Sequence, residues 1–213
     1  MKQTQTGTQT KIAKGSSGTR VRIMVQIGML TAVAVVLMAF EIPLFFAPSF
    51  YKIDFSEVPV LIGSFAMGPL AGVVIELLKI LIHMLIQGTS TAGVGDLGNF
   101  IVGCAFVLPA AFIYKHGKTK KNALVGMITG TLVMAVSGCF INAFVLLPTY
   151  AAAFGMPIDA LVAMGTAVNS HITSLFTFVV LAVAPFNLVK GALVSIIVFL
   201  VYKRISPILK GTV

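Results

Sequence analysis

The sequence predicts an all-α membrane protein, a compact bundle of six transmembrane helices. Three observations carry that expectation. Of 213 residues, 58% are apolar and only 10% are charged, against about 25% charged in a typical soluble domain. Charge-free runs recur along the chain, at 23–40, 58–75, 80–95, 97–114, 122–158, 160–189 and 191–202. The bases gather between these runs, as in cytoplasmic loops facing anionic lipid. The formal net charge of +9 therefore reads as a signature of lipid rather than of a nucleic-acid partner.

Residues 1–20 are polar and basic and are expected to form a disordered cytoplasmic tail. The membrane domain is expected over 21–209. A spanning helix needs about 20 largely apolar residues, and the first is expected over about 21–44. The stretch 56–87 reads as one long helix or as two helices broken at Met67-Gly68-Pro69. The positive-inside rule selects the break, because it puts the loop Lys115-His116-Gly117-Lys118-Thr119-Lys120-Lys121 on the cytoplasmic side. The first half, 56–67, is then about 18 Å long at 1.5 Å per residue, too short to span alone. Helices are expected at about 95–114, 123–148 and 186–205. The apolar stretch 149–185 is expected to be an outer loop with short surface or re-entrant helices. This topology places twelve of the fifteen bases inside, with both termini cytoplasmic.

Charges and amides inside spans cost several kcal/mol unless paired, so they are functional candidates. Asn187 and Lys190 share one helix face at i, i+3 spacing and are expected in the first turns of the last helix. A cation there opposes the helix dipole, so a ligand role is favoured over snorkelling or an ion pair. Asn142 ends a stripe Gly126, Gly130, Met134, Gly138, Asn142 that permits close helix contact. Its amide contacts either a ligand or another helix. Glu76 and Lys79, three apart, are expected to pair with each other, and His83 is expected to be a packing residue. Asp96 reads as a helix N-cap or first-turn acid of the fourth span, and Asn99 is a candidate to face a site. The outside loop at 45–55 holds Phe50 and Tyr51, which either fold over a ligand or form an interfacial belt.

Gly28, Ala32 and Ala39 fall within about 40° of one another on the first helix. Such a face serves internal packing or docking to another membrane protein. Cys104 and Cys139 read as small buried hydrophobes. No Walker A, HExxH or GxSxG motif occurs, so the chain shows no nucleotide site or catalytic motif of its own. A compact bundle with amides and a lysine at its outer end reads as a binder of a small polar-aromatic solute. A membrane-embedded enzyme would have to use Glu76, Lys79 and His83.

Four segments extend this reading: Lys52-Ile53-Asp54-Phe55-Ser56-Glu57-Val58-Pro59, Met67-Gly68-Pro69-Leu70-Ala71-Gly72, Gly93-Val94-Gly95-Asp96-Leu97-Gly98-Asn99-Phe100 and Pro185-Phe186-Asn187-Leu188-Val189-Lys190-Gly191. In this order and spacing the chain resembles the riboflavin-specific substrate-binding (S) components of bacterial energy-coupling-factor (ECF) transporters over about residues 21–209. The resemblance implies six helices with a short second one and a vitamin site near the outer face, closed by the loop between the first two helices. It also implies a shared membrane scaffold protein and two ATPases as partners, in the bacterial cell membrane. Riboflavin would be a transported ligand, and no cofactor is expected. The family's contact motif on the first helix is usually Ala-x-x-x-Ala; Gly28 and Ala32 stand at the matching positions, with Gly28 a departure from the pattern. The flavin edge offers N3–H between two carbonyls, which an Asn amide can pair and a lysine can supplement. An S component for another vitamin or for FMN is the alternative, and riboflavin is expected over FMN because a phosphate would want more cations than Lys190.

Overall fold

The computed structural model describes residues 16–210 except 46, 49 and 90–92. Helix α1 (Ser16–Met38) begins before 21 and ends before 44. Residues 1–15, the rest of the expected tail, lie outside the described residues. α1 stops early because Ile42 precedes Pro43, which disfavours helix. Instead, β1 (Ile42–Pro43) pairs antiparallel with β2 (Lys52–Ile53). An exposed ion pair, Lys52 Nζ to Glu41 Oε2 at 2.6 Å, fastens this ribbon.

The break at Gly68 occurs as expected. α2 (Glu57–Met67) is buried from Glu57 through Phe65, as a helix too short to span must be. Gly68 has φ +108°, a left-handed conformation that favours glycine, and Pro69 opens α3 (Pro69–Gln87). α4 covers Val94–His116. α5 (Lys120–Ile141) starts where the Thr119 hydroxyl accepts from the Asn122 N–H at 3.2 Å.

The outer half departs from expectation. α5 continues through a π-turn (Asn142–Leu146) into α6 (Leu147–Phe154), one helical run of 35 residues. The last helix begins not near Pro185 but at α8 (Leu175–Phe178), and passes through a second π-turn (Val179–Val183) into α9 (Ala184–Lys210). The expected outer loop 149–185 shrinks to 155–174 and holds α7 (Ile158–Thr166). The physical reason is shared: Pro148 and Pro185 each lie just beyond a π-turn. A proline in a helix lacks an N–H and crowds the carbonyl four residues back. The wider turn relieves that clash and the helix carries on.

Five helical segments among the described residues are long and apolar enough to cross a membrane, and α2 is a shorter apolar helix. The chain is thus an all-helical, multi-pass membrane protein. Val60, Leu61, Phe65, Ile75, Phe106, Val194 and Val198 form the core shared by α2, α3, α4 and α9. The glycine stripe on α5 does what its spacing implies. A Cβ at Gly126 would lie 2.7 Å from the Ala110 carbonyl oxygen, and Gly130 lies against the Phe106 carbonyl. Backbone contact of this kind is how helices associate in lipid. At the end of the bundle away from the lysine-rich α4–α5 loop, Leu147, Leu161, Ile172, Phe178 and Val183 make a second cluster.

Candidate functional site

A cavity of about 440 Å³ opens at that second end, within the roughly 300–1,000 Å³ usual for small-molecule sites. The α1–α2 segment supplies Phe50, Tyr51 and Asp54, and α2 supplies Glu57. His83 and Gln87 come from α3, and Asp96, Asn99 and Gly103 from α4. Asn142 comes from the first π-turn, and Phe186, Asn187 and Lys190 from α9. All six expected binding residues, Asn187, Lys190, Asn142, Asn99, Phe50 and Tyr51, therefore line one cavity.

The π-turns position the two buried amides. Asn142 opens the first turn, and its Nδ2 donates to the Gly138 carbonyl at 2.8 Å. Asn187 Nδ2 donates to the carbonyl of Val183, the last residue of the second turn, at 2.9 Å. Gly138 itself lies against Asn187, and a Cβ there would sit 2.6 Å from Asn187 Nδ2. One glycine thus leaves room for the Asn187 amide and accepts from the Asn142 amide. Helices with π-turns are frequent at functional sites.

Lys190 corrects the sequence argument. It is not in the first turns of a helix, because the helical run starts at Leu175, so the dipole argument lapses. Its Nζ lies 2.9 Å from Asp54 Oδ2, so the ion pair, not favoured on sequence, is present. Lys190 also borders the cavity. Asp54 sits in the loop before α2. Burial pushes its carboxyl up, but the Lys190 and Lys79 ammoniums outweigh that and hold it well below the usual carboxylate range.

The Glu76–Lys79 pair is present at 2.8 Å, but Lys79 Nζ also lies 2.8 Å from Glu57 Oε1. All three residues are almost fully buried. Sequence reasoning gave no site role to Asp54, which precedes α2, or to Glu57, which opens it. The available signal was scarcity: two acids in a strongly apolar stretch need buried partners. His83 borders the cavity, and both its ring nitrogens are buried without a hydrogen-bond partner.

The roof is aromatic. Phe50 stacks with Phe178 at 6.4 Å between centroids, and Tyr51 tilts against Phe186 at 5.2 Å. The Tyr51 hydroxyl donates to Asn142 Oδ1 at 2.5 Å. Ala47 is buried too, so the segment packs down onto the bundle. Two residues of the expected lid, Phe46 and Ser49, lie outside the described residues. Gly28 and Ala32 are exposed on α1, Ala39 is exposed in the turn just past the end of that helix rather than on it, and a Cβ at Gly28 would meet nothing within 4 Å. The bundle does not use this stripe for its own packing. Cys104 and Cys139 are free thiols, each half-buried.

Fold and cavity define a membrane-embedded solute-binding protein with a roofed polar-aromatic site at one end of a helical bundle. A family model for the substrate-specific component of ECF transporters matches residues 22–202, and the chain belongs to that family. The riboflavin transporter RibU of Staphylococcus aureus (strain TCH60) is 35% identical over 187 residues, covering 88% of this chain and 92% of that protein. The riboflavin transporter FmnP of Bacillus subtilis (strain 168) is 34% identical over 190 residues, covering 88% and 94%. A solved S component of a bacterial ECF transporter superposes with TM-score 0.69 at 34% identity, covering 90% of this chain and 99% of that one. The chain is accordingly a transport component and not an enzyme, with an ECF module as its partner.

Proposed function

We propose that this chain binds riboflavin and mediates its uptake together with a transmembrane scaffold protein and two ATPase subunits. The observation that carries the reading is the meeting of Asn142, Asn187 and Lys190 on one cavity beneath Phe50 and Tyr51. A flavin needs an acceptor for N3–H and donors for the flanking carbonyls. An amide offers both, and the Lys190 ammonium keeps N–H donors beyond the one directed at Asp54. Aromatic rings suit the flavin faces. The names of the relatives from S. aureus and B. subtilis support the same substrate.

In this reading residues 21–209 are the vitamin-binding domain, the lysine-rich end and both termini face the cytoplasm, and the segment 45–55 is the lid. Gly28, Ala32 and Ala39, exposed and unused internally, receive the scaffold's helix. The test is the absorbance spectrum of the purified protein, followed by riboflavin titration read by fluorescence quenching. A yellow sample and saturable quenching support the reading; a colourless sample that quenches no added riboflavin overturns it.

A further inference from the structure

Another cavity, of about 360 Å³, opens at the opposite, lysine-rich end of the bundle. Its walls are residues 64–70, where α2 breaks into α3, and the last turns of α4 with the start of the following loop. The break keeps the space open: Gly68 lines it, and even a Cβ there would meet nothing within 4 Å. Among the described residues none from α1 lines it, so it is separate from the exposed face at Gly28 and Ala32.

Charge at this end is one-sided. The loop 115–121 holds four lysines and no acid. All six acids of the chain lie elsewhere: Glu41, Asp54, Glu57 and Asp96 on the first cavity, Glu76 buried against Lys79, and Asp159 in α7. Lys115 and Lys118 line the second cavity and are exposed. Neither has a hydrogen bond or an ion pair among the described residues. The same cavity has an apolar side, where Leu70 is 76% and Phe112 49% exposed. α3 begins at Pro69 and α4 ends at His116, and both are long and apolar enough to cross a membrane. The cavity therefore sits where the hydrocarbon gives way to headgroups.

We propose that this cavity is a site for one anionic phospholipid: the phosphate sits between Lys115 and Lys118, and the acyl chains run over Leu70 and Phe112. Basic pockets between transmembrane helices suit anionic headgroups. A water-soluble acidic segment would meet the lysines but leave Leu70 and Phe112 uncovered, whereas a lipid uses both halves. The inference goes beyond the riboflavin reading and does not depend on it.

The test titrates the delipidated full chain in detergent with dioleoyl phosphatidylglycerol, with dioleoyl phosphatidylcholine and with glycerol phosphate, and counts bound molecules by native mass spectrometry. Each base beside an anionic headgroup strengthens binding by about fivefold, so wild type is expected to prefer phosphatidylglycerol by roughly thirtyfold. Lys115→Gln with Lys118→Gln is expected to abolish the preference. Lys121→Gln, in the same loop but outside the cavity lining, is expected to keep most of it. Thermal melting in detergent verifies that each variant folds. Equal wild-type binding of the two lipids overturns the proposal whatever the variants do. So does glycerol phosphate binding as tightly as phosphatidylglycerol, which would make the site one for free phosphate. A double variant that keeps the lipid preference but no longer co-purifies with the ECF module overturns it too, and gives the cavity to a protein partner.

Discussion

The hydroxyl of Tyr51 donates to Asn142 Oδ1 at 2.5 Å although 91 positions separate the two residues. The bond ties the aromatic roof to the π-turn that opens at Asn142. Roof and amide wall are therefore one hydrogen-bonded unit, and a ligand that competes for the Asn142 amide acts on the roof as well.

Tyr51→Phe removes that bond and keeps the ring against Phe186. A net hydrogen bond is worth about 0.5–1.5 kcal/mol. Riboflavin is expected to bind more weakly by that amount, mostly through faster release, and stopped-flow fluorescence checks it. An unchanged release rate would show that the bond does not hold the roof closed.

Asn187→Ala is expected to weaken riboflavin binding by roughly 1–3 kcal/mol, the scale for depriving a buried polar group of its partner. Asn142→Ala is expected to do the same and also to free the Tyr51 hydroxyl. Equilibrium titration reads both, and full affinity in the two variants removes the amides from the site.

Lys190→Met leaves Asp54 buried and unpaired. Breaking a buried ion pair from one side costs about 3–5 kcal/mol, whereas replacing both partners is often neutral. The ligand-free single variant is expected to unfold at a lower temperature in detergent, and adding Asp54→Asn is expected to restore most of the loss. Equal melting of wild type and Lys190→Met would mean that the pair contributes nothing to the fold.

Gly126→Leu forces a side chain into the Ala110 backbone, where a Cβ already falls 2.7 Å from the carbonyl oxygen. Overpacking costs about 1–3 kcal/mol even where side chains can yield, and backbone yields less. A marked loss of thermal stability in detergent is expected. A variant as stable as wild type would refute the close α4–α5 contact.

Gly28→Trp and Ala32→Trp are expected to separate two activities. Both positions are exposed on α1 and lie outside the cavity lining, so riboflavin affinity in detergent stays. Co-purification with the scaffold and uptake by cells are lost. Variants that still assemble and transport would place the docking surface elsewhere.

Composition and local pattern were enough for the membrane class and the glycine stripe on α5, through solvation by lipid and the reach of one helical turn. The break at Gly68-Pro69 and the short second helix needed in addition the distribution of bases between the loops, because local pattern left one long helix open. The amides Asn142 and Asn187 were legible as candidates because a polar group in an apolar span has a cost that needs a reason. The continuation of the fifth and last helices past Pro148 and Pro185 was not legible. A proline reads locally as an end, and only packing of the second cluster at the cavity end makes a π-turn the better solution. The partners of Lys190 and Lys79 were likewise beyond the sequence. Asp54 lies 136 positions from Lys190, and Glu57 reaches Lys79 only because α2 folds back beside α3. Which carboxylate faces which ammonium is a long-range outcome of helix packing, and that outcome gives the cavity its charge.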